Sequence, residues 1–144
     1  MKTKFTSLFV LLTLAVLAAA CGAPSGDTPQ GEAVSALTQQ EATTMIDSAL
    51  QALNTGDYAT WSRNWDGDMK AAIKEADFQE YRNGVTAQYG RYLSLESVEI
   101  LPGLSEGYVR WVSIANFEKG KIKFTFGLLN EGRQIKGIFP EAME

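Results

Sequence analysis

At Gly90 the hydrophobic period of this chain changes from that of a helix to that of a strand. Before it, apolar residues recur three and four apart: Met45, Ile46, Ala49, Leu50 and Leu53, then Phe78, Tyr81, Val85 and Tyr89. After it they recur two apart, most clearly in Ile122, Phe124, Phe126 and Leu128. A parallel sheet with crossover helices needs the two periods interleaved. Here they are segregated, so the expected class is α+β: N-terminal helices packed on an antiparallel sheet.

Local signals place the elements. Thr38 and Glu41 form a capping box that opens the first helix, and Asn54-Thr55-Gly56 closes it. Asp57 is suited to cap a short helix carrying Tyr58, Trp61 and Trp65 at i, i+3 and i+7. Asp66-Gly67-Asp68 reads as a turn, with Asp68 as cap for Met69 to Ile73, and a further helix spans about Glu75 to Tyr89. Within it Gly84 costs about 1 kcal/mol relative to Ala, for which close packing is one explanation. Counted as three packing helices, these segments lead into four strands. The first runs from Tyr92 to Leu101 and slips phase at Glu96-Ser97, the signature of a bulge. Tyr108 to Glu118, Lys121 to Asn130 and Arg133 to Phe139 follow as a meander, turning at Lys119-Gly120 and Asn130-Glu131-Gly132. The inward positions are expected to be Trp111 or Val112, Ile114, Phe117, Ile122, Phe124, Phe126, Leu128 and Ile135, with Arg110 on the solvent face.

The first twenty residues have the pattern of a signal peptide: Lys2 and Lys4, an uncharged run from Leu8 to Ala20, and small residues at Ala18-Ala19-Ala20. That run is too short for a mature transmembrane helix. The chain's single cysteine, Cys21, follows at once. Leu17-Ala18-Ala19-Ala20-Cys21-Gly22 resembles the lipobox of bacterial lipoproteins, with Ala18 where leucine commonly stands. The resemblance implies a lipid on Cys21, cleavage just before it, and a protein held at the cell membrane or outer membrane, facing the periplasm or the cell exterior. Gly22 after the cysteine fits outer-membrane sorting in that family. The same small residues also satisfy the A-x-A rule of a plain secreted protein. Residues 21–36 are rich in Gly, Pro and Ser and lack large apolar groups, so they read as a tether spanning roughly 20 Å as a flexible coil. Residues 37–144 remain as the folded domain.

Composition excludes several functions. Without Lys2 and Lys4 the chain holds 11 Lys and Arg against 17 Asp and Glu, a net charge of −6. Nucleic acid and anionic lipid headgroups both select for basic surfaces, so neither is an expected partner of the domain. With one cysteine no disulfide framework exists, and stability must come from a packed core. The absence of histidine removes Ser-His-Asp and Cys-His catalysis and most zinc sites. Asn64, Asp66, Asp68 and Glu75 fall at positions 1, 3, 5 and 12 of a calcium-loop spacing, but Met69 stands where glycine is needed. Capping explains the same aspartates.

The element order, with ALNTGDYATWSRNW at Ala52–Trp65 and FEKGKIKFTFGLLNEGRQIKGIF at Phe117–Phe139, resembles the nuclear transport factor 2-like (ketosteroid isomerase-like) superfamily. Within it the chain is similar to a bacterial domain of unknown function found alone in lipoproteins or upstream of α/β-hydrolases. Gly56-Asp57-Tyr58, Met69-Lys70 and Gly137-Ile138-Phe139 carry the resemblance. It implies a cone-shaped α+β barrel: a curved four-stranded sheet around the helices, with an apolar cavity in its mouth. Enzymes of that superfamily place a Tyr and carboxylates inside the cone. None of the inward strand positions here is an acid, so no catalysis and no cofactor are expected. Two functions follow. One is binding of a small apolar or amphipathic ligand by an aromatic pocket of Tyr58, Trp61, Trp65, Trp111, Phe124 and Phe126. The other is a protein-interaction or homodimerisation module at the cell envelope, using the outer face of the sheet.

Overall fold

The computed structural model describes residues 37–101, 107–129 and 133–143. The signal segment, Cys21, the tether and the turn at Asn130-Glu131-Gly132 lie outside them. The order is α1 (Gln39–Thr55), α2 (Tyr58–Trp61), α3 (Gly67–Ala72), α4 (Glu75–Tyr89), β1 (Tyr92–Leu101), β2 (Tyr108–Phe117), β3 (Gly120–Leu129) and β4 (Ile135–Ala142). Helices precede an open antiparallel sheet with strand order β1-β2-β3-β4, which is the expected α+β class. Among the described residues no helix is long and apolar enough to cross a membrane.

Among the described residues there are four helical segments, one more than expected. The helix expected to carry Tyr58, Trp61 and Trp65 stops at Trp61, and Trp65 instead bridges Ile135 of β4 in parallel. The Asp66 N–H donates to Ile135 O at 3.0 Å, and the Ile135 N–H donates to Asn64 O at 2.7 Å. Those two bonds pull residues 64–66 out of helical geometry and onto the sheet edge. The cap of α3 is therefore Asp66, whose Oδ1 accepts the Met69 N–H at 2.8 Å, and not Asp68.

The other caps follow the sequence. Thr38 and Glu41 form the capping box, Gly56 takes the left-handed conformation (φ 73°) after α1, and Asp57 accepts the Thr60 N–H at 3.0 Å. Helix α1 has no basic residue in its last turn. Helix α4 supplies one across the packing: Arg82 Nε donates to Leu53 O at 2.7 Å, and Gln79 Nε2 donates to Gly56 O at 3.1 Å. A Cβ at Gly84 would meet nothing within 4 Å, so close packing does not account for that glycine.

The core lies between α1 and the inner face of the sheet. Ala42, Ile46, Ala49, Leu50 and Leu53 of α1 meet Trp111, Ala115, Phe117, Ile122, Phe124, Phe126, Leu128 and Ile135 in one apolar cluster. On β3 and β4 the inward residues are the expected ones. On β2 they are Trp111, Ser113, Ala115 and Phe117. Ile114 and Val112 face the other way, because Trp111 and Phe117 already set the parity of an unbroken strand. Arg110 lies on the outer face as expected, half-buried. Strand β1 has two irregularities: pairing skips Leu93 and again Glu96, the second at the expected phase slip. With both skips the buried residues of β1 are Tyr92 and Val98, and Leu93 and Ile100 are exposed. Strand β4 runs three residues past its expected end at Phe139, through Pro140. Proline is tolerated there because β4 is an edge strand and the missing N–H leaves no ladder bond unmade.

Candidate functional site

Short α2 positions the first aromatic group. Its N-cap Asp57 and the hydrogen bond from Tyr58 OH to Ile73 O, at 2.6 Å, hold the segment against the α3–α4 connection. Trp61 then sits at the centre of an aromatic cluster. Its ring lies 4.5 Å from Trp65, 4.6 Å from Phe78 and 5.8 Å from Tyr81, with the last pair nearly parallel at 22°. Tyr58 closes the group, edge-on to Trp65 at 6.1 Å and tilted on Phe78 at 5.9 Å. Offset and edge contacts of this kind add about 0.5–1.5 kcal/mol each beyond area burial.

The second aromatic group is on the sheet. Phe124 and Phe126 are 6.1 Å apart on the inner face of β3, and Trp111 of β2 is in register with Phe126. Trp65, Phe124 and Phe126 are each 1% exposed. They fill the space between helices and sheet and take part in the core. The six residues expected to line one pocket therefore divide. Tyr58, Trp61 and Trp65 gather beside α4, Phe124 and Phe126 pack the core, and Trp111 also borders an open groove with Leu37, Gln39, Glu99 and Ile100.

Trp61 alone of the six lines a cleft of about 350 Å³ between the helices and β4. Its other walls are Met69 and Ile73 from the α3 region, Asp77 and Tyr81 from α4, and Ile138 and Pro140 from β4. The volume is at the lower end of the roughly 300–1,000 Å³ of small-molecule sites, and the walls have the apolar character of such sites. Tyr81 stood in the sequence as one member of an amphipathic stripe, with no mark to separate it from Phe78 or Val85. Ile138 and Pro140 fall at i and i+2, a signal legible only once β4 is known to continue past Phe139.

Polar groups at the cleft are few. Asp77 Oδ2 accepts the Lys74 N–H at 2.8 Å, which opens α4. The Tyr81 hydroxyl is buried and has no hydrogen-bond partner among the described residues. Burial pushes that phenol up to about 12, so it stays protonated and can only offer its O–H or its lone pairs. Trp65 Nε1, Trp111 Nε1, Ser113 Oγ and Arg110 Nε are also buried without partners among the described residues. Tyr92 is the contrasting case. Burial, and then the bond from its OH to Asp47 Oδ1 at 2.6 Å, raise its pKa, and its hydroxyl is satisfied.

The residues of the calcium-loop spacing are engaged elsewhere. Asp66 accepts the Met69 N–H and pairs with Lys136 at 3.3 Å, and Lys136 also reaches Asp68 at 3.4 Å. Among the described residues no group of three His, Cys, Asp or Glu side chains is arranged to hold a metal ion. Comparison with family models, with curated proteins and with solved structures finds no significant match to the chain.

Proposed function

We propose that this chain is a lipid-anchored protein of the bacterial cell envelope whose domain binds a small apolar or amphipathic molecule without transforming it. The anchor is the lipid on Cys21, at the start of a tether, facing the periplasm or the cell exterior. The sheet curves as a cone over α1, with the cone packed by side chains and the ligand held beside it, in the cleft of Trp61, Met69, Ile73, Tyr81, Ile138 and Pro140. That cleft, apolar on most sides and backed by an aromatic cluster, is the observation that carries the proposal. A neutral apolar dye, N-phenyl-1-naphthylamine, tests it. The expected result is saturable one-to-one binding in the micromolar range, lost when Ile138→Trp fills the cleft. No saturable binding, or binding indifferent to Ile138→Trp, overturns it.

The alternative is a protein-interaction or homodimerisation module, and one observation favours it. The outer face of the sheet exposes Phe139 (65%) and Tyr108 (42%), where Gly127 and Gly137 pair in register and the Phe139 ring lies over Gly137. Under this second function the protein runs as a dimer in light scattering, Phe139→Glu makes it a monomer, and the dye does not bind.

A further inference from the structure

At the end of the sheet where β1 stops and β2 starts, apolar side chains stand on both faces. Leu101 and Tyr108 are on the outer face, with Leu129 in register beside Tyr108; Ile100 is on the inner face, in register with Trp111. Ile100 is 52% exposed, Tyr108 42% and Leu101 36%. At the opposite end the outer row is polar: Ser94, Asn116 and Lys121 lie in register across three strands. Packing against α1 calls for apolar groups on the inner face alone. It accounts for neither Leu101 and Tyr108 nor the exposure of Ile100.

The chain leading from Cys21 enters the domain at this same end. Leu37 lines an open groove with Gln39, Glu99, Ile100 and Trp111, and Gln39 Nε2 donates to Val98 O at 2.8 Å. Residues 22–36 join Cys21 to this point, and a flexible coil of that length spans roughly 20 Å. Strand β2 then carries the chain ten residues, roughly 33 Å, to the turn at Lys119-Gly120. We propose that the Ile100, Leu101 and Tyr108 end of the sheet is a lipid contact, entering the interface of the bilayer that holds the Cys21 lipid. This rests on the proposed anchor. Three partly exposed side chains bury too little apolar area to keep a free domain on a membrane. The anchor makes their contact intramolecular, so a weak contact suffices. Tyrosine suits the boundary, with an apolar ring and a polar tip. Glu99 and Arg110, the charged residues flanking this end on β1 and β2, are opposite in sign. The contact is therefore apolar, and zwitterionic lipid is enough for it.

The full-length lipidated protein in phosphatidylcholine vesicles tests this. The chain has no second cysteine, so a single new one can carry the environment-sensitive dye NBD. A nitroxide-bearing phosphatidylcholine should quench the label in Ile100→Cys roughly fivefold more than the label in Lys119→Cys, at the far end of β2. Adding Leu101→Asp and Tyr108→Asp to Ile100→Cys should abolish that quenching. The protein should stay on the vesicles through its lipid and keep its melting temperature, since both replaced side chains are exposed. Equal quenching at the two labelled positions overturns the inference and leaves the anchor standing. A blue-shifted but unquenched label at position 100 means that protein, such as a second copy, covers this end, and it overturns the inference as well. Quenching that survives the two aspartates overturns the role of Leu101 and Tyr108. A chain recovered without lipid on Cys21 removes the anchor, and the inference with it.

Discussion

Asp66 and Asp68 are alike in chemistry and two residues apart, yet only Asp66 is drawn into the fold. Its side chain caps α3, its N–H bonds β4, and its carboxylate, 8% exposed, meets Lys136. Asp68 stays 91% exposed and receives only the far side of the same lysine. The Met69 N–H first, and then Lys136, hold the Asp66 carboxyl below the ordinary carboxylate range. At the other helix start, Thr38 and then Arg133 lower Glu41 to about 2. Both carboxyls bind protons less readily folded than unfolded. The stability they contribute is fully present above their unfolded values, about 3.9 for Asp and 4.3 for Glu, and is lost as the pH falls through the folded ones. Melting temperature should therefore drop as the pH is taken from about 5 to about 2.5, and the drop should be shallower in Asp66→Asn with Glu41→Gln. Equal slopes in wild type and double variant, measured by circular dichroism, would sink this account.

At the scale of elements, the chain uses neighbours to finish what a single segment leaves open. Helix α1 ends without a basic residue, and α4 closes it with Arg82 and Gln79. Strand β1 would present a free edge, but α1 covers two points of it. Asn54 both donates to Tyr92 O (2.9 Å) and accepts the Tyr92 N–H (3.0 Å), and Gln39 Nε2 donates to Val98 O (2.8 Å). Together with the two bulges, these bonds blunt an edge that could otherwise pair with another chain. Helix α4 keeps one weak position. Gly84 is exposed, helical and free of close neighbours, so Gly84→Ala should stabilise the domain by about 1 kcal/mol, or about 4–8 °C in melting temperature. A neutral or lower melting temperature would mean that α4 needs the glycine for a purpose other than space. The start and stop of α1, the cap of α2 and the alternation of β3 were legible in the sequence because each depends on residues within four positions; the end of α2 and the cap of α3 were not, because they depend on pairing with β4. The parity of β2 was not, since Val112 and Ile114 are as apolar as Ala115 and more so than Ser113.

For the whole molecule, the N-terminal pattern underlies the proposal of a lipid anchor at Cys21. Cys21→Ser should move the protein from the membrane fraction to the soluble one, and a membrane-bound Cys21→Ser would end the lipoprotein assignment. Segregation of helical and strand periods, the caps of α1 and α2, the slip at Glu96-Ser97 and the apolar run before Cys21 were all determined by the sequence itself. They are set by contacts between near neighbours, or by composition, which any chain displays before it folds. The site was different. Six aromatic residues looked alike as candidates for one pocket, but tertiary packing gave Trp65, Phe124 and Phe126 to the core and left Trp61 on a cleft wall. What made that cleft was residues 64–66 leaving the helix to pair with β4, which brought Ile138 and Pro140 opposite Tyr81. Such a wall is built from positions about sixty residues apart. Only the balance of burial over the whole core decides which of several equally apolar side chains is used up inside and which is left facing a space.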